Sequence, residues 1–328
     1  MNAVMRTTAR GAIWVTALLV AGSCFAQTSG YPNRPVKVIV PFPPGGATDV
    51  IVRLMTQKLS VSLGQPFYAE NHAGAGGNIG MGMAASAPAD GYTMLAVTNS
   101  LILNPSLYAK IPYDPIRDFA ALTMTATSPY VVAVHPSLPA RSVGELIALV
   151  RANPGKYSYA SAGLGTPGHL AGELFRSPLG LDIVHVPFSG GPPAINATIA
   201  GHTPVSFTAL PTAAPQVKEG KLRALAVMSS KRAAALPDVP TMAEAGVPDC
   251  EVDIVAGMMV RSGTPDDIAR RLHGEIVKAL AQPEIRERLS ALGFEPVAST
   301  RDEFATWIKA EIPRWRQVIH GVNIPKVE

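Results

Sequence analysis

VKVIVPFPPGGATD occupies residues 36–49, and this short stretch combines three kinds of local structure. Its first five residues alternate valine with Lys37 and Ile39, which is typical of a β-strand that is buried mainly on one face. Prolines within residues 41–44 prevent the strand from continuing. Gly45 and Gly46 then allow the backbone to approach another group closely. The stretch therefore predicts a strand, a loop and a helix in succession.

The helix after this loop is predicted from apolar residues at helical spacing, which are Ile51, Leu54, Met55 and Leu59. Thr48 and Asp49 stand at its start, so the loop amides converge at the positive end of the helix dipole. Such a corner suits an anion, typically a carboxylate or a phosphate. An ordinary connection whose glycines only make the turn is the alternative interpretation.

The N-terminal residues are typical of a secretory signal peptide. Two arginines precede an apolar run over residues 12–21, and Cys24 and Ala26 occupy the positions that a signal peptidase reads. The sequence therefore predicts a signal peptide over residues 1–26 and a mature protein in the periplasm. Lipid modification of Cys24 is the alternative, although Ala21 stands where such a site usually has a larger aliphatic residue.

The composition of the mature chain argues against several classes of partner. Removal of 26 residues from the 328 leaves 302, enough for two domains of ordinary size. Of the 28 lysines and arginines, Arg6 and Arg10 lie in the leader, so 26 scattered basic residues accompany 24 acidic ones. No nucleic-acid partner and no membrane-binding patch is predicted. Only Cys250 remains after cleavage, so no disulfide can form within the mature chain.

Short apolar runs, loops marked by glycine or proline, and helical patterns alternate along the chain, which predicts an α/β protein with a mostly parallel sheet. Residues 104–118 contain three prolines and are predicted to be irregular. The extended runs 119–127 and 130–135 are predicted to be separate strands, broken at residues 128–129. The loop PFSGGPP at residues 187–193 weakly repeats the first loop, which supports two lobes of similar construction.

Familiar catalytic and cofactor motifs are missing from the sequence. The seven histidines form no pair at metal-ligand spacing, and neither H-E-x-x-H nor C-x-x-C occurs. Tyr159 and Pro187 stand where a G-x-S-x-G nucleophile elbow around Ser161 or Ser189 needs glycine. The glycines of residues 74–80 miss the dinucleotide-binding spacing, and a Walker A lysine is absent. The sequence therefore predicts no metal, no cofactor and no enzymatic activity.

A second loop rich in small residues, SAGLGTPGH at residues 161–169, complements the first. Ser161 and Thr166 supply hydroxyls, Gly163 exposes its amide, and a helix begins behind them. Ligands bind open α/β sheets beyond the carboxyl ends of the strands, where both loops are predicted to lie. Opposed across a cleft, residues 42–49 (the first jaw) and 161–169 (the second jaw) would offer two amide-rich surfaces.

Several motifs together carry a resemblance to a known family. These motifs are YPNRPVKVIVPFPPGGATD, ENHAGAGGNIG, ADGYTML, YASAGLGTPGHL, VPFSGGPPA, LPDVPTMAEAG and the helix start SGTPDDI. With the leader, they make the chain similar to the Bug family of extracytoplasmic solute receptors, the substrate-binding proteins of tripartite tricarboxylate transporters. The match covers essentially the whole mature chain in the family's order. EVDIVAGMMVRSGTP departs from it, because the family usually has an aromatic-glycine strand and an alanine-proline pair there.

The resemblance implies a type II periplasmic binding protein fold, in which two α/β lobes close on a ligand cleft. Lobe I is expected to combine residues 27–127 with residues 250–328, and lobe II is expected to span residues 128–249. The implied partners are a small carboxylate ligand and the membrane subunits of the transporter. The receptor is expected to be a monomer.

The resemblance also implies that backbone amides and bridging waters of the two jaws hold a ligand carboxylate. The matched positions are Phe42, Gly45, Gly46, Ala47, Thr48, Asp49 and Asn78 in lobe I, and Ser161, Ala162, Gly163, Thr166, His169, Ser189 and Thr208 in lobe II.

A purely structural role is the alternative for four of these residues. Asp49 and Asn78 would then be helix caps. His169 would be a helix-start or core residue, and Phe42 a core aromatic. Within a site, the charge of Asp49 would favour a ligand amine, and the ring of Phe42 would form a wall against the ligand's carbon skeleton.

Three classes of function stay open at this point. A receptor for a small carboxylate needs only amide-rich jaws and an export signal, and the sequence has both. An exported hydrolase or lyase would need a nucleophile and a base, which no motif supplies. A sensor input domain for a two-component kinase would share the same fold and ligand. The possible ligands are dicarboxylates, tricarboxylates, aromatic carboxylates, amino acids and nicotinate-like compounds.

Overall fold

The structure, a computed structural model, describes residues 30–321 and Lys326. The predicted signal peptide, its cleavage site and Cys24 lie outside these residues. Within the described part of the chain, no helix combines the length and the apolar character that a membrane span requires.

Ten strands and ten α-helices follow one another along the described chain. The strands are β1 (Val36–Val40), β2 (Phe67–Asn71), β3 (Thr93–Val97), β4 (Phe119–Val134), β5 (Ser158–Ser161), β6 (Val184–Pro187), β7 (Val205–Ala209), β8 (Arg223–Val227), β9 (Asp253–Arg261) and β10 (Glu295–Pro296). The helices are α1 (Ala47–Leu63), α2 (Asn78–Ala85), α3 (Ser100–Leu107), α4 (Val143–Arg151), α5 (Pro167–Arg176), α6 (Gly191–Ile199), α7 (Leu210–Lys218), α8 (Asp266–Ala281), α9 (Pro283–Ala291) and α10 (Arg301–Gly321).

Strand β1 is more deeply buried than its alternating pattern predicts. Val36, Val38 and Val40 belong to one hydrophobic core and Ile39 belongs to another, and all four are at most 1 % exposed. Helix α1 contributes to the first of these cores and α2 to the second, so both faces of the strand are covered. The predicted burial on mainly one face is therefore wrong, because β1 lies inside the sheet between parallel neighbours β2 and β3.

Strand β4 passes from one sheet into the other. Its first part, residues 119–129, pairs with β9, and β9 in turn pairs with β3 of the β2-β1-β3 group. Its last part, residues 130–134, lies between β7 and β8. Strands β5 and β6 extend the second sheet in parallel beyond β7. The first jaw therefore follows a strand of one sheet, and the second jaw follows a strand of the other.

The expectation of a mostly parallel sheet is wrong. The pairs between described strands comprise four parallel and five antiparallel ones. The parallel pairs arise where helix crossovers return the chain in the same direction, as in β1, β2 and β3. Strands β4 and β9 join the two halves without such crossovers, and they run antiparallel to their neighbours.

Strand β4 runs unbroken through residues 128–129, so the predicted break there is wrong. Pro129 has no N–H to donate, but it stands where the partner of β4 changes from β9 to β7 and β8. The next residue restores the ladder, because the N–H of Tyr130 donates to the carbonyl of Val252 at 3.0 Å. A proline at such a change of partner costs the strand little.

Two short helices form in spite of internal prolines. Helix α3 occupies part of the 104–118 segment that was expected to be irregular, and it contains Pro105. Helix α7, which contains Pro215, has no counterpart among the predicted elements. An internal proline costs about 3 kcal/mol. Burial of one Leu or Ile contributes about 1.5–3 kcal/mol, and α3 buries four, namely Leu101, Ile102, Leu103 and Leu107. Packing therefore outweighs the local penalty.

Candidate functional site

A cavity of about 50 Å³, here called the inner cavity, lies between the two jaws. Its lining consists of Phe42, Pro43, Gly46, Ala47, Thr48, Thr98, Tyr130, Ala162, Thr166, Pro167, Gly191, Phe207, Thr208, Ala209, Thr212 and Ile254. Among the described residues, none of those lining it is acidic, basic or a histidine. Five threonines and Tyr130 supply its side-chain hydroxyls.

The N-termini of five helices meet at the wall of the inner cavity. The first-turn N–H groups of a helix lack partners within it, and the helix dipole adds partial positive charge at this end. The lining residues at or beside these helix starts are Gly46 and Ala47 (α1), Thr98 (α3), Thr166 and Pro167 (α5), Gly191 (α6), and Ala209 and Thr212 (α7). The cavity therefore has a positive potential that comes from the backbone and suits an anion.

Asp49 belongs to the first jaw but does not line the cavity, and it is 2 % exposed. Its Oδ2 accepts hydrogen bonds from Gly45 N at 2.9 Å and Arg53 Nε at 2.8 Å, and its Oδ1 accepts one from Asn71 Nδ2 at 2.9 Å. Burial raises the pKa of this carboxyl, but the bonds from Arg53, Gly45 and Asn71 together hold the pKa below its usual value. Both oxygens are engaged in holding the loop.

The second jaw is organised by its own hydroxyls. Thr166 is the N-cap of α5: its Oγ1 donates to the carbonyl of Gly163 at 2.7 Å and accepts from the N–H of His169 at 3.4 Å. Gly163 N donates to Ser161 Oγ at 3.2 Å. A threonine at the N-cap with a proline in the first helical position is a favourable helix start.

His169, the last residue of the second jaw, is 5 % exposed and does not line the inner cavity. Its ring stacks on that of His185 with 4.4 Å between the ring centroids. Burial lowers the pKa of His169 to about 4, so its imidazole is neutral at neutral pH. The 3.8 Å approach of its Nε2 to Glu173 is therefore not an ion pair under those conditions. These contacts favour the structural interpretation of His169.

A serine and a histidine that no motif predicted lie within hydrogen-bond distance. Ser161 Oγ is 2.7 Å from Nε2 of His185, whose ring is sandwiched between Tyr159 and His169. Burial, aided by His169 and Arg176, lowers the pKa of His185 to about 3, which makes it a poor general base. Ser161 is fully buried, so a substrate carbonyl has no access to it. The pair ties β6 to the second jaw.

A larger outer cavity of about 310 Å³ adjoins the inner one. The two cavities share Phe42 and Ala162, one residue from each jaw. The other residues that line the outer cavity are Gly74, Ala75, Gly76, Tyr108, Gly163, Leu164, Pro187, Phe188 and Ser189. At this cavity, Tyr108 Oη donates a hydrogen bond to the carbonyl of Leu164 at 2.9 Å, which joins the end of α3 to the second jaw.

The fourteen residues matched from the sequence divide into three groups. Those on the inner cavity are Phe42, Gly46, Ala47, Thr48, Ala162, Thr166 and Thr208. Gly163 and Ser189 line the outer cavity, which Phe42 and Ala162 also line. Those on neither cavity are Gly45, Asp49, Asn78, Ser161 and His169.

Asn78 acts from beneath the outer cavity. It is 5 % exposed, and its Oδ1 accepts hydrogen bonds from Asn104 Nδ2 at 2.7 Å and Tyr113 Oη at 2.8 Å. Asn104 Nδ2 also lies 3.2 Å from the carbonyl of Gly76, which lines the outer cavity. Asn78 therefore supports the loop rather than forming its surface.

Several lining residues were missed in the sequence. Gly191 could have been predicted, since it belongs to the loop that repeats the first jaw. For Thr212 the indication was weaker, because it sits in the first turn of a helix that follows a strand. Tyr130 and Ile254 come from the central strands β4 and β9, where no local motif marks a ligand-facing side chain.

Comparison with known families supplies an identification. Residues 51–324 match the model of the "Tripartite tricarboxylate transporter family receptor" family. This chain belongs to that family. The receptor family predicted from the motifs is therefore confirmed, and so is its two-lobed α/β binding-protein fold.

Relatives of this receptor match it over nearly their whole length. BugT of Bordetella pertussis is 37 % identical over 316 residues, which cover 93 % of this chain and 97 % of BugT. The solved structure of an R. palustris protein with adipate is 34 % identical, with a TM-score of 0.88, and covers 90 % of this chain and 100 % of that one. MatC from Rhodopseudomonas palustris with bound malate is 32 % identical, with a TM-score of 0.84, and covers 88 % of this chain and 100 % of that one.

Proposed function

We propose that this receptor captures a small carboxylate between its two lobes and delivers it to the membrane subunits of a tripartite tricarboxylate-type transporter. The observation that carries the proposal is the meeting of five helix N-termini at a cavity whose lining has no acidic, basic or histidine side chain. Such a site stabilises a small anion, and a carboxylate is one that fits it.

The donors for the carboxylate are backbone N–H groups and threonine hydroxyls. Thr48 approaches from the first jaw, and Thr208 and Thr212 approach from β7 and α7. A hydrogen bond to a charged group contributes about 1.5–3 kcal/mol. A few such donors therefore take the place of an arginine that would bind the carboxylate with two hydrogen bonds. Two of the relatives were solved with adipate and with malate, which supports a carboxylate as the ligand here.

The proposed lobes are residues 27–127 with 250–328 and residues 128–249. Strand β4 leaves the first sheet and enters the second near residue 129, which supports the first boundary. The lobes are closed on each other: a Cβ at Gly190 would collide with the ring of Pro43 in the first jaw. Binding by closure follows from this division, because a ligand between the jaws touches both lobes.

We further propose that the mature receptor acts in the periplasm as a monomer and does not turn over its ligand. Its relatives include a protein described as the periplasmic binding protein BugD, which supports the location. The burial of Ser161 supports binding without catalysis. Lipid attachment at Cys24 remains the alternative to release into the periplasm, and intact-mass measurement of the mature protein distinguishes the two.

A thermal-shift screen of the purified mature receptor against carboxylates tests the proposed function. A carboxylate at 100 times its Kd should stabilise the fold by about 2.7 kcal/mol. Neutral amides of the same acids serve as controls, since they share the carbon chain but not the carboxylate, and phosphate tests whether any small anion suffices. Stabilisation by the amides as strongly as by the acids, or chemical conversion of a bound acid, would contradict the proposal.

A further inference from the structure

The inner cavity is too small for more than the acidic end of a ligand. A single water molecule needs a cavity volume of about 10–15 Å³. The inner cavity, at about 50 Å³, therefore accommodates a carboxylate and very few further atoms. The outer cavity, at about 310 Å³, is several times larger. A ligand longer than its carboxylate therefore needs space beyond the inner cavity, and the outer cavity lies beside it.

Phe42 and Ala162, one from each jaw, line both cavities and therefore lie at the boundary between them, which we call the neck. The backbone of Phe42 is fixed, because its carbonyl accepts a hydrogen bond from Asn71 Nδ2 at 2.9 Å. Its ring rests against Gly77, where an added Cβ would lie 3.3 Å from Phe42 Cζ. On the other side of the neck, Ala162 contributes only a methyl group. The width of the neck is thus set by one anchored ring and one small side chain.

The outer cavity suits an uncharged chain. Among the described residues that line it, none is acidic, basic or a histidine. The hydrogen bond from Tyr108 to the carbonyl of Leu164 joins its two sides. A chain that enters through the neck therefore meets a mostly apolar surface without charged groups.

We propose that Phe42 and Ala162 determine the ligand specificity of this receptor by admitting only an unbranched chain from the inner into the outer cavity. This inference rests on the proposed function, because it places the carboxylate in the inner cavity. The ligand class is then a carboxylate on a linear, uncharged chain. Each methylene buried in the outer cavity increases affinity by about fourfold.

Two substitutions at the neck should change the ligand selectivity in opposite directions. Ala162→Val narrows the neck, so it should weaken binding of octanoate at least tenfold more than binding of propanoate. Phe42→Ala widens the neck, so the affinity for benzoate and branched acids should rise at least tenfold relative to the affinity for octanoate. Phe42→Leu provides an intermediate width if the alanine variant is unstable. Val61→Ala, on the exposed surface of α1, is the control.

Calorimetry of the mature protein with propanoate, hexanoate, octanoate and benzoate decides the matter, and circular dichroism confirms that the variants are folded. The expected result is a wild-type affinity that increases with chain length, with the two neck variants shifting this dependence in opposite directions. If both variants change the affinity for every acid by the same factor, the neck does not select ligands and the inference is wrong. Failure of the wild type to bind any carboxylate would instead overturn the proposed function.

Discussion

The backbone N–H of Gly45 donates to Oδ2 of Asp49 at 2.9 Å, which ties the first jaw to its own helix. Gly45 has a φ of +77°, in the left-handed region that glycine tolerates best. The bond therefore fixes the turn immediately before Gly46 and Ala47, which line the inner cavity. Asp49 shapes the cavity from outside it, and its charge is already neutralised by Arg53.

An Asp49→Asn variant should be less stable and should keep the ligand preferences of the wild type. The amide oxygen still accepts from one partner, but the charged bond to Arg53 is lost, at a cost of about 1–2 kcal/mol. Affinities for glutamate and adipate should fall by similar factors. Urea denaturation and calorimetry measure both effects, with Glu287→Gln on the exposed face of α9 as a control. A loss confined to glutamate would mean that Asp49 contacts the ligand amine.

Gly46→Val should abolish tight binding while leaving the fold intact. The φ of Gly46 is −74°, which any residue adopts, so the substitution introduces no backbone strain. An added Cβ would lie 3.4 Å from Pro43 O and 3.8 Å from Pro192 Cδ, and the further methyl groups of valine would hinder closure against α6. We expect at least a tenfold loss of affinity, about 1.4 kcal/mol, by calorimetry.

The matched control for this variant is Gly45→Ala. A Cβ there meets nothing within 4 Å, so only the left-handed φ is penalised, by about 1–2 kcal/mol of folding stability. Gly45→Ala should therefore lower the denaturation midpoint, and it should reduce the ligand affinity less than Gly46→Val does. A larger loss of ligand affinity in Gly45→Ala than in Gly46→Val would show that the first jaw does not approach the other lobe on binding.

Local patterns predicted those parts of the fold that a few neighbouring residues determine. Thr300 and Glu303 have the three-residue spacing of a capping box, and the box forms, with reciprocal bonds of 2.8 and 3.2 Å between their backbone and side-chain atoms. The Thr166 cap and the strand-loop-helix course of the first jaw are equally local. In each case the interacting groups are three or four residues apart, so the spacing itself specifies the contact.

Contacts between distant residues were beyond such reasoning. Asn71 reaches Asp49 from the end of β2, and His185 reaches Ser161 from β6. These pairs are 22 and 24 residues apart, and only the sheet registers bring them together. The same holds for the direction of β4, where the packing of both halves of the molecule overrides the proline that suggested a break.

The stacked histidines His169 and His185 should make the receptor sensitive to acid. The pKa of His169 falls from 6.5 to about 4 on folding, so the unfolded state binds the proton more tightly. Its contribution to stability is therefore complete above about pH 6.5 and declines as the pH falls toward 4, by at most about 1.4 kcal/mol per pH unit. His185, with a pKa lowered to about 3, acts in the same direction over a wider range.

His169→Phe should reduce this acid sensitivity. The phenyl ring preserves the stack on His185 and does not titrate, and the Nδ1 that it removes has no hydrogen-bond partner within the described chain. Urea denaturation at pH 7 and pH 5 should show a smaller stability difference than in the wild type, whereas His320→Gln at the exposed end of α10 should behave like the wild type. An unchanged pH dependence in His169→Phe would refute the assignment.

Tyr108→Phe should weaken ligand binding by favouring the open arrangement of the lobes. Tyr108 is 8 % exposed, and its hydroxyl donates across the outer cavity to the carbonyl of Leu164. Gly76 and Gly165 pack so closely on the ring that an added Cβ would lie 2.8 Å from Tyr108 Oη and 2.6 Å from Tyr108 Cε2, respectively. The bond therefore exists only when the two sides of the cavity meet. Its loss should cost about 1 kcal/mol, or roughly fivefold in affinity.

Small-angle scattering and calorimetry separate this closure effect from a direct ligand contact. If the hydroxyl holds the lobes together, ligand-free Tyr108→Phe should have a larger radius of gyration than the ligand-free wild type, and saturating ligand should restore the same radius in both. The loss of affinity should also be equal for short and long carboxylates, because closure accompanies binding of either. Tyr68→Phe, exposed on β2, is the matched control. A loss that grows with the chain length of the ligand, without expansion of the free protein, would instead assign the hydroxyl to the surface that contacts the ligand.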